Sequence, residues 1–237
     1  MPNDIELPDF PSFTEKYHHA SYAAISPTRP EVSAAGKVVV VTGGGTGIGR
    51  SIAVSFAEAG AEAVAILGRR EDRLKSSAAE ISAANKKTKV LYKVTDLTKR
   101  ADVDAALNSI VDSVGKINIF VSNAGALPDP GPIAQHDERV FMEGFDMNVR
   151  TAFNAIQAFL PLATTDAILI SISTGIAHFA PMPGMSAYAA SKAANLKMVD
   201  YVAAENPHLH VVNLQPGVII TEIQKSDSMI EGQDDGE

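Results

Sequence analysis

The chain has 237 residues, 46% of them hydrophobic, and a formal net charge of -8. That is enough to bury one full core, so a single domain is expected, and an acidic chain without a Lys/Arg-rich run argues against a nucleic-acid or anionic-membrane surface. There is no cysteine for a disulfide framework or thiolate metal site, no apolar run as long as a membrane span, and no secretory leader pattern, so a soluble cytoplasmic protein without a metal centre is expected.

Residues 1–35 are rich in Pro, Ser and aromatics, show no steady period, and read as an extension that lies over the domain or stays mobile. His18 and His19, adjacent and without further ligands, read as surface residues rather than a metal site. Residues 37–42 are a continuous apolar run, the mark of a strand buried on both faces. Gly43, Gly44, Gly45, Thr46, Gly47, Ile48 and Gly49 follow directly, then a helix with Ile52, Phe56 and Ala57 on its inner face. Strand, glycine turn and helix are the setting of a phosphate-cradling loop. Glycines permit a tight turn and close backbone approach, and the helix N-terminus offers free N–H groups to a pyrophosphate. A glycine turn with no ligand is the alternative.

A second strand over 63–67 ends in Gly68-Arg69-Arg70, with no acidic side chain at its tip. The tip lies about 20 residues past the glycine loop, where Asp or Glu binds the ribose 2′-hydroxyl of NAD. An arginine, Arg69, suits the 2′-phosphate of NADP instead. Alternatively, the pair simply starts a surface helix, in which Leu74, Ala78 and Ile81 fall in phase. A third strand, 89–94, leads to Asp96-Leu97. Val103, Leu107, Ile110, Val111 and Val114 then repeat with helical spacing. A fourth strand, 117–121, is followed by Asn123-Ala124-Gly125, and 137–159 reads as one long helix carrying Asn148 and stopped by Pro161. Strand 167–172 ends at Ser173 and Thr174, helix 186–205 opens with Ser186 as its cap, and a sixth strand, 209–214, runs into Pro216-Gly217. This alternation predicts an α/β fold: a doubly wound parallel sheet in three layers, α/β/α, with ligands beyond the C-terminal strand ends.

Tyr188 and Lys192, four apart, stand on one face of the last helix. A tyrosine titrates near ~10, too high for acid/base work at neutral pH, and a nearby ammonium stabilises the phenolate and lowers that value. The pair is then a proton donor and acceptor tuned toward working pH. A packed ring beside a solvated lysine is the plain alternative.

Thr42 through Gly49, Asp96, Asn123-Ala124-Gly125, Asn148, Tyr188 with Lys192, and Pro216-Gly217 with Thr221 occur in order. On these motifs the chain resembles the short-chain dehydrogenases/reductases, single-domain Rossmann enzymes. The resemblance covers 36–222, and the Pro/aromatic extension is similar to that of a set of fungal members. It implies an NAD(P)-dependent oxidoreductase interconverting a carbonyl and a secondary alcohol. Tyr188 is then the general acid/base, and Lys192 holds the nicotinamide ribose and lowers the tyrosine pKa. Asn148 supports the helix geometry and a proton-relaying water. Asp96, with Leu97 beside it, contacts the adenine, and Asn123, Ala124 and Gly125 shape the cleft floor. Pro216, Gly217 and Thr221 line the nicotinamide side. Arg69 favours NADP over NAD, although NADP-using members often place a base where Thr46 stands. The family also implies a homodimer through the 137–159 and 186–205 helices, whose Phe153, Ile156, Leu196 and Met198 offer apolar faces.

Two departures from the family pattern follow. The serine that hydrogen-bonds the substrate oxygen is replaced: by spacing to Tyr188 the site falls on Thr174, with Ser173 as the other candidate. Family members also continue past the Pro-Gly motif through a substrate lid and a last edge strand, whereas 223–237 is acidic, unpatterned and reads as a disordered tail. The substrate half is therefore expected to be incomplete, and a nucleotide-binding protein without full catalysis is the alternative function. The loop 176–185, with Phe179, Pro181, Met182, Pro183 and Met185, suggests an apolar substrate or simple packing under a lid.

Overall fold

The computed structural model describes His18, residues 21–217, Ile219 and Thr221. The tail expected over 223–237 lies outside the described residues, as does most of the extension before residue 21. Residues 21–35 carry two short 3-10 turns, Ala23–Ile25 and Pro30–Val32. The segment is then tied down where the Ala34 N–H donates to the Ala59 carbonyl at 2.8 Å.

Six strands form one sheet: β1 (Val38–Thr42), β2 (Ala63–Gly68), β3 (Lys89–Val94), β4 (Ile117–Ser122), β5 (Ala163–Ile172) and β6 (His210–Leu214). Their order is β3-β2-β1-β4-β5-β6, and every neighbouring pair is parallel. The helices are α1 (Gly47–Glu58), α2 (Glu71–Ala84), α3 (Arg100–Val114), α4 (Glu138–Phe145), α5 (Thr151–Phe159) and α6 (Ser186–Glu205). Strand residues alternate between two cores. Val39, Val41, Val64 and Ile66 meet Ala53 and Ala57 of α1 and Leu74 and Ile81 of α2. Val40, Leu67, Phe120 and Leu169 meet Leu107 of α3, Phe159 of α5 and Val199 of α6, with Phe120 and Phe159 stacked at 4.7 Å. A run such as VVVVT, buried at all five positions, is needed because both faces of the strand are covered. Between β1 and β4 the direction of connection reverses, which opens a crevice at the C-terminal strand ends.

Four sequence expectations change. The single helix over 137–159 is α4 and α5 joined through a π-turn, Asp146–Arg150, that carries Asn148. The Thr151 N–H reaches back to the Asp146 carbonyl, and its hydroxyl donates to the Met147 carbonyl at 2.7 Å. β5 starts four residues early, at Ala163, because its first residues extend beside Ile117. Ser186 is the first residue of α6 rather than its cap: Met185 holds the capping position, and the Ser186 hydroxyl is buried with no hydrogen-bond partner among the described residues. Of the apolar residues expected to face a second copy, Phe153 is 46% exposed, but Ile156 is 2% exposed and belongs to the core.

Candidate active site

All the expected site residues line one cleft of about 1280 Å³, although they are scattered over the chain from Gly43 to Thr221. Its floor begins at the glycine turn after β1. Gly47 has φ +53°, and a Cβ on Gly49 would sit 2.4 Å from the Gly43 carbonyl oxygen, so the turn closes only with glycine at these positions. Ser77 on α2, fully buried, donates to the Gly44 carbonyl at 2.7 Å and pins the turn from below.

Thr42 ties β1 to the next part of the floor. Its hydroxyl donates to the Val121 carbonyl at 3.3 Å and accepts the N–H groups of Asn123 and Ala124 at 2.9 and 3.0 Å. The Asn123 amide in turn donates to the Thr42 carbonyl at 2.9 Å. Asp96 closes a turn after β3, its Oδ1 accepting from the Thr98 hydroxyl at 2.7 Å and the Thr98 N–H at 3.0 Å. The Thr98 hydroxyl is the main reason the Asp96 carboxyl sits below its ordinary value, with Lys99 and Arg69 adding to the effect. Asn154 of α5, buried, holds that turn through the Leu97 and Thr98 carbonyls at 2.9 and 3.1 Å. At the outer mouth stand three arginines: Arg69 and Arg70 at the end of β2, and Arg73 one turn into α2.

At the other end, Tyr188 and Lys192 project from the first turns of α6. Lys192 is 7% exposed, and its Nζ donates to the Ile172 carbonyl at 2.6 Å. Burial holds its ammonium down at about 8. Tyr188 is half-buried, and burial pushes its phenol above the ordinary value, while the Thr174 hydroxyl nearby pulls the other way through hydrogen bonding. The expected lowering of the phenol by Lys192 is thus not met in the protein alone: loss of water raises it, and the group that pulls it back is Thr174, not Lys192. Thr174 also caps the short turn Gly175–Ala177 by accepting the Ile176 N–H at 3.4 Å, whereas the buried Ser173 hydroxyl has no partner among the described residues. Asn148, 1% exposed, accepts the Ala126 N–H at 2.8 Å and donates to the Ala126 carbonyl at 2.9 Å and the Ser191 hydroxyl at 3.0 Å. Both of its N–H donors are committed within the protein.

A family model described as short chain dehydrogenase matches residues 37–231. The chain belongs to the short chain dehydrogenase family. Among curated relatives, it is 34% identical over 210 residues to "Short chain dehydrogenase pigC" of Monascus ruber, covering 86% of this chain and 68% of that protein. It is also 34% identical over 230 residues to "Short chain dehydrogenase tazN" of Aspergillus terreus, covering 94% of this chain but only 49% of that protein, so it spans about half the length of this relative. Among solved structures, an alcohol dehydrogenase from the archaeon Thermococcus sibiricus, complexed with 5-hydroxy-NADP, superposes with a TM-score of 0.70 at 26% identity, covering 76% of this chain and 75% of that one. Like other members, this short chain dehydrogenase is an NAD(P)-dependent oxidoreductase acting on small molecules. Among its described residues no helix is long and apolar enough to cross a membrane.

Sequence reasoning missed Ser77, Asn154 and Ser191, which act on the cleft from behind. Their partners lie 33, 57 and 43 positions away in the chain, so no local pattern marks them.

Proposed function

We propose that the chain is an NADP(H)-dependent oxidoreductase that interconverts a carbonyl and a secondary alcohol, with Tyr188 as the group that gives and takes the proton. The observation that carries this reading is the placement of Tyr188, Thr174 and the buried Lys192 on one wall of a cleft whose other end is the glycine turn. The residues suit a dinucleotide: the turn's close approach between Gly49 and Gly43 leaves backbone exposed toward the cleft, and the arginines at the mouth suit a phosphate. When bound, the nicotinamide supplies or accepts the hydride.

The chain's own residues do the rest. Thr174 and Tyr188 hold the substrate oxygen with their hydroxyls, and Tyr188 donates its proton to that oxygen as the carbonyl is reduced. Lys192 spends one of its three donors on Ile172, leaving two for a ribose hydroxyl and for the phenolate that forms. Asn148, with both N–H donors committed, holds Ala126 and α6 in register. The wall beyond Tyr188 is made by Leu127, Ile176, Phe179, Met182 and Met185, which favours a neutral, apolar carbonyl substrate.

Arg69, at the end of β2 and with no acidic residue beside it in the strand tip, supports NADP over NAD. Titration of the unmodified protein with NADPH and NADH by nicotinamide fluorescence should show tighter NADPH binding. Arg69→Ala should erase most of the gap, a loss of roughly tenfold to a hundredfold for one charge-assisted contact. Equal affinities in the unmodified protein rule out the NADP assignment, and NADPH binding without oxidation across a panel of apolar ketones rules out the reductase reading.

A further inference from the structure

We infer that Ser191 is a positioning residue for the proton-transfer tyrosine, an inference that rests on the role proposed above for Tyr188. Ser191 is fully buried in α6 between Tyr188 and Lys192. Its hydroxyl donates to the Tyr188 carbonyl at 2.9 Å and accepts from the Asn148 amide at 3.0 Å. A helical serine bonding back to a carbonyl in the preceding turn is ordinary. One that also receives a donor from another element, at a site sealed from water, is a joint between two elements.

The joint has a defined direction. Ala126 offers one N–H and one carbonyl, which fixes the Asn148 amide in a single orientation, oxygen to the N–H and nitrogen to the carbonyl. That leaves one Asn148 N–H, aimed at Ser191. A continuous chain of hydrogen bonds therefore runs from the backbone after β4, through the π-turn, to the main chain of Tyr188. On the opposite side, Lys192 ties the same turn of α6 to the end of β5 through the Ile172 carbonyl. The first turns of α6 hang between two ties, and Tyr188 sits where they meet. The π-turn supplies the geometry: its extra residue swings Asn148 inward to bridge Ala126 and Ser191.

Removing the Ser191 hydroxyl leaves an Asn148 N–H without a partner in a dry site and frees the Tyr188 carbonyl from the π-turn. Asn148 then loosens against Ala126, and the phenol drifts from its working position. A displacement on the scale of an ångström costs up to about a hundredfold in rate.

The test pairs kinetics with a readout that needs no turnover. In Ser191→Ala, the Ala126 amide, two hydrogen bonds away from the substitution, should exchange its hydrogen roughly tenfold or more faster than in the unmodified protein. kcat for carbonyl reduction should fall roughly tenfold to a hundredfold while KM for NADPH changes little. Ser191→Thr keeps the hydroxyl but adds a methyl to a packed site, so it should recover most of kcat even though its Tm falls. Should Ser191→Ala not fold, Ser191→Cys, which fills the same space with a weak acceptor, carries the same comparison. Unchanged exchange at Ala126 overturns the inference. So does a kcat that holds, or one that follows Tm across the variants. If the unmodified protein reduces no carbonyl, the proposed function fails, and the Ala126 exchange rate alone then decides whether Ser191 is the tie.

Discussion

Lys192 is stable in its site only at a cost, and Lys192→Met should reveal that cost. Its ammonium is 7% exposed and titrates at about 8 against an ordinary 10.5. The gap of about 2.5 pH units, at ~1.4 kcal/mol each, means that charging this lysine in the fold costs about 3 kcal/mol more than in the unfolded chain. Methionine of similar length removes that cost but leaves the Ile172 carbonyl without its donor, a loss of about 1 to 2 kcal/mol. Below pH 8 both states of the native protein hold the proton and the full cost is present, so Lys192→Met should be the more stable protein by about 1–2 kcal/mol. Between pH 8 and 10.5 the folded native protein has released the proton while the unfolded chain still binds it, so native stability rises with pH and the variant's advantage shrinks. The order inverts inside that window, about one to one and a half pH units above its lower edge, where the regained stability equals the advantage of about 1–2 kcal/mol. Tyr188, raised above its ordinary value by burial, is the same in both proteins through most of this range. Urea unfolding of both proteins at pH 7, 8, 9 and 10, without cofactor, measures the difference directly. A difference that stays flat across those pH values refutes the reasoning, since it would mean that Lys192 titrates alike in the folded and unfolded chain.

Three more outcomes follow from the same geometry. Tyr188→Phe should abolish turnover and leave NADPH affinity nearly unchanged, because only the proton-carrying oxygen is lost; a cofactor Kd weakened as much as the rate is the contrary result. Thr174→Ala should reduce kcat more than Ser173→Ala, because the Thr174 hydroxyl acts on the phenol while the Ser173 hydroxyl is buried and unpartnered; the reverse order in steady-state kinetics moves the substrate-orienting role to Ser173. Gly49→Ala should lower Tm and weaken cofactor binding together, at a cost of about 1–3 kcal/mol, because its Cβ meets the Gly43 oxygen at 2.4 Å and the Asn123 amide at 2.5 Å. Thermal melts and cofactor titration that both match the unmodified protein show that the turn shifts freely.

The elements that the sequence made legible are those in which the local pattern and the tertiary setting agree. Residues 37–42 read as a fully buried strand, and Val38–Thr42 form one, because a central parallel strand has no solvent face to mark. Leu74 and Ile81 fall in helical phase and do pack on the sheet. The π-turn was not legible, because it is defined by which carbonyl each backbone N–H reaches, which no residue type announces, and Asn148 itself gives no hint of the geometry. Ser186 misled for a related reason: a serine after Pro183-Gly184 looks like a cap, yet the helix begins one residue earlier in its bonding, at Met185. The site was legible as residue types at strand ends. The supports behind it were not, because Ser77, Asn154 and Ser191 are polar residues inside helices, where a sequence pattern reads them as neutral filler.

Thr42 has a bearing on how this protein can be altered. Its hydroxyl donates once and accepts twice, with bonds to Val121, Asn123 and Ala124, and it is 1% exposed. Every bonding capacity of that oxygen is used. The seam joining the two halves of the sheet and the floor beneath the ligand therefore share a single atom, and neither can be retuned separately. A valine there matches the shape but strands two amides, so it strikes cohesion and recognition at once, whereas serine keeps both and gives up only a methyl. Engineering for heat tolerance has freedom on the outward faces of α2 and α3, and almost none at this seam.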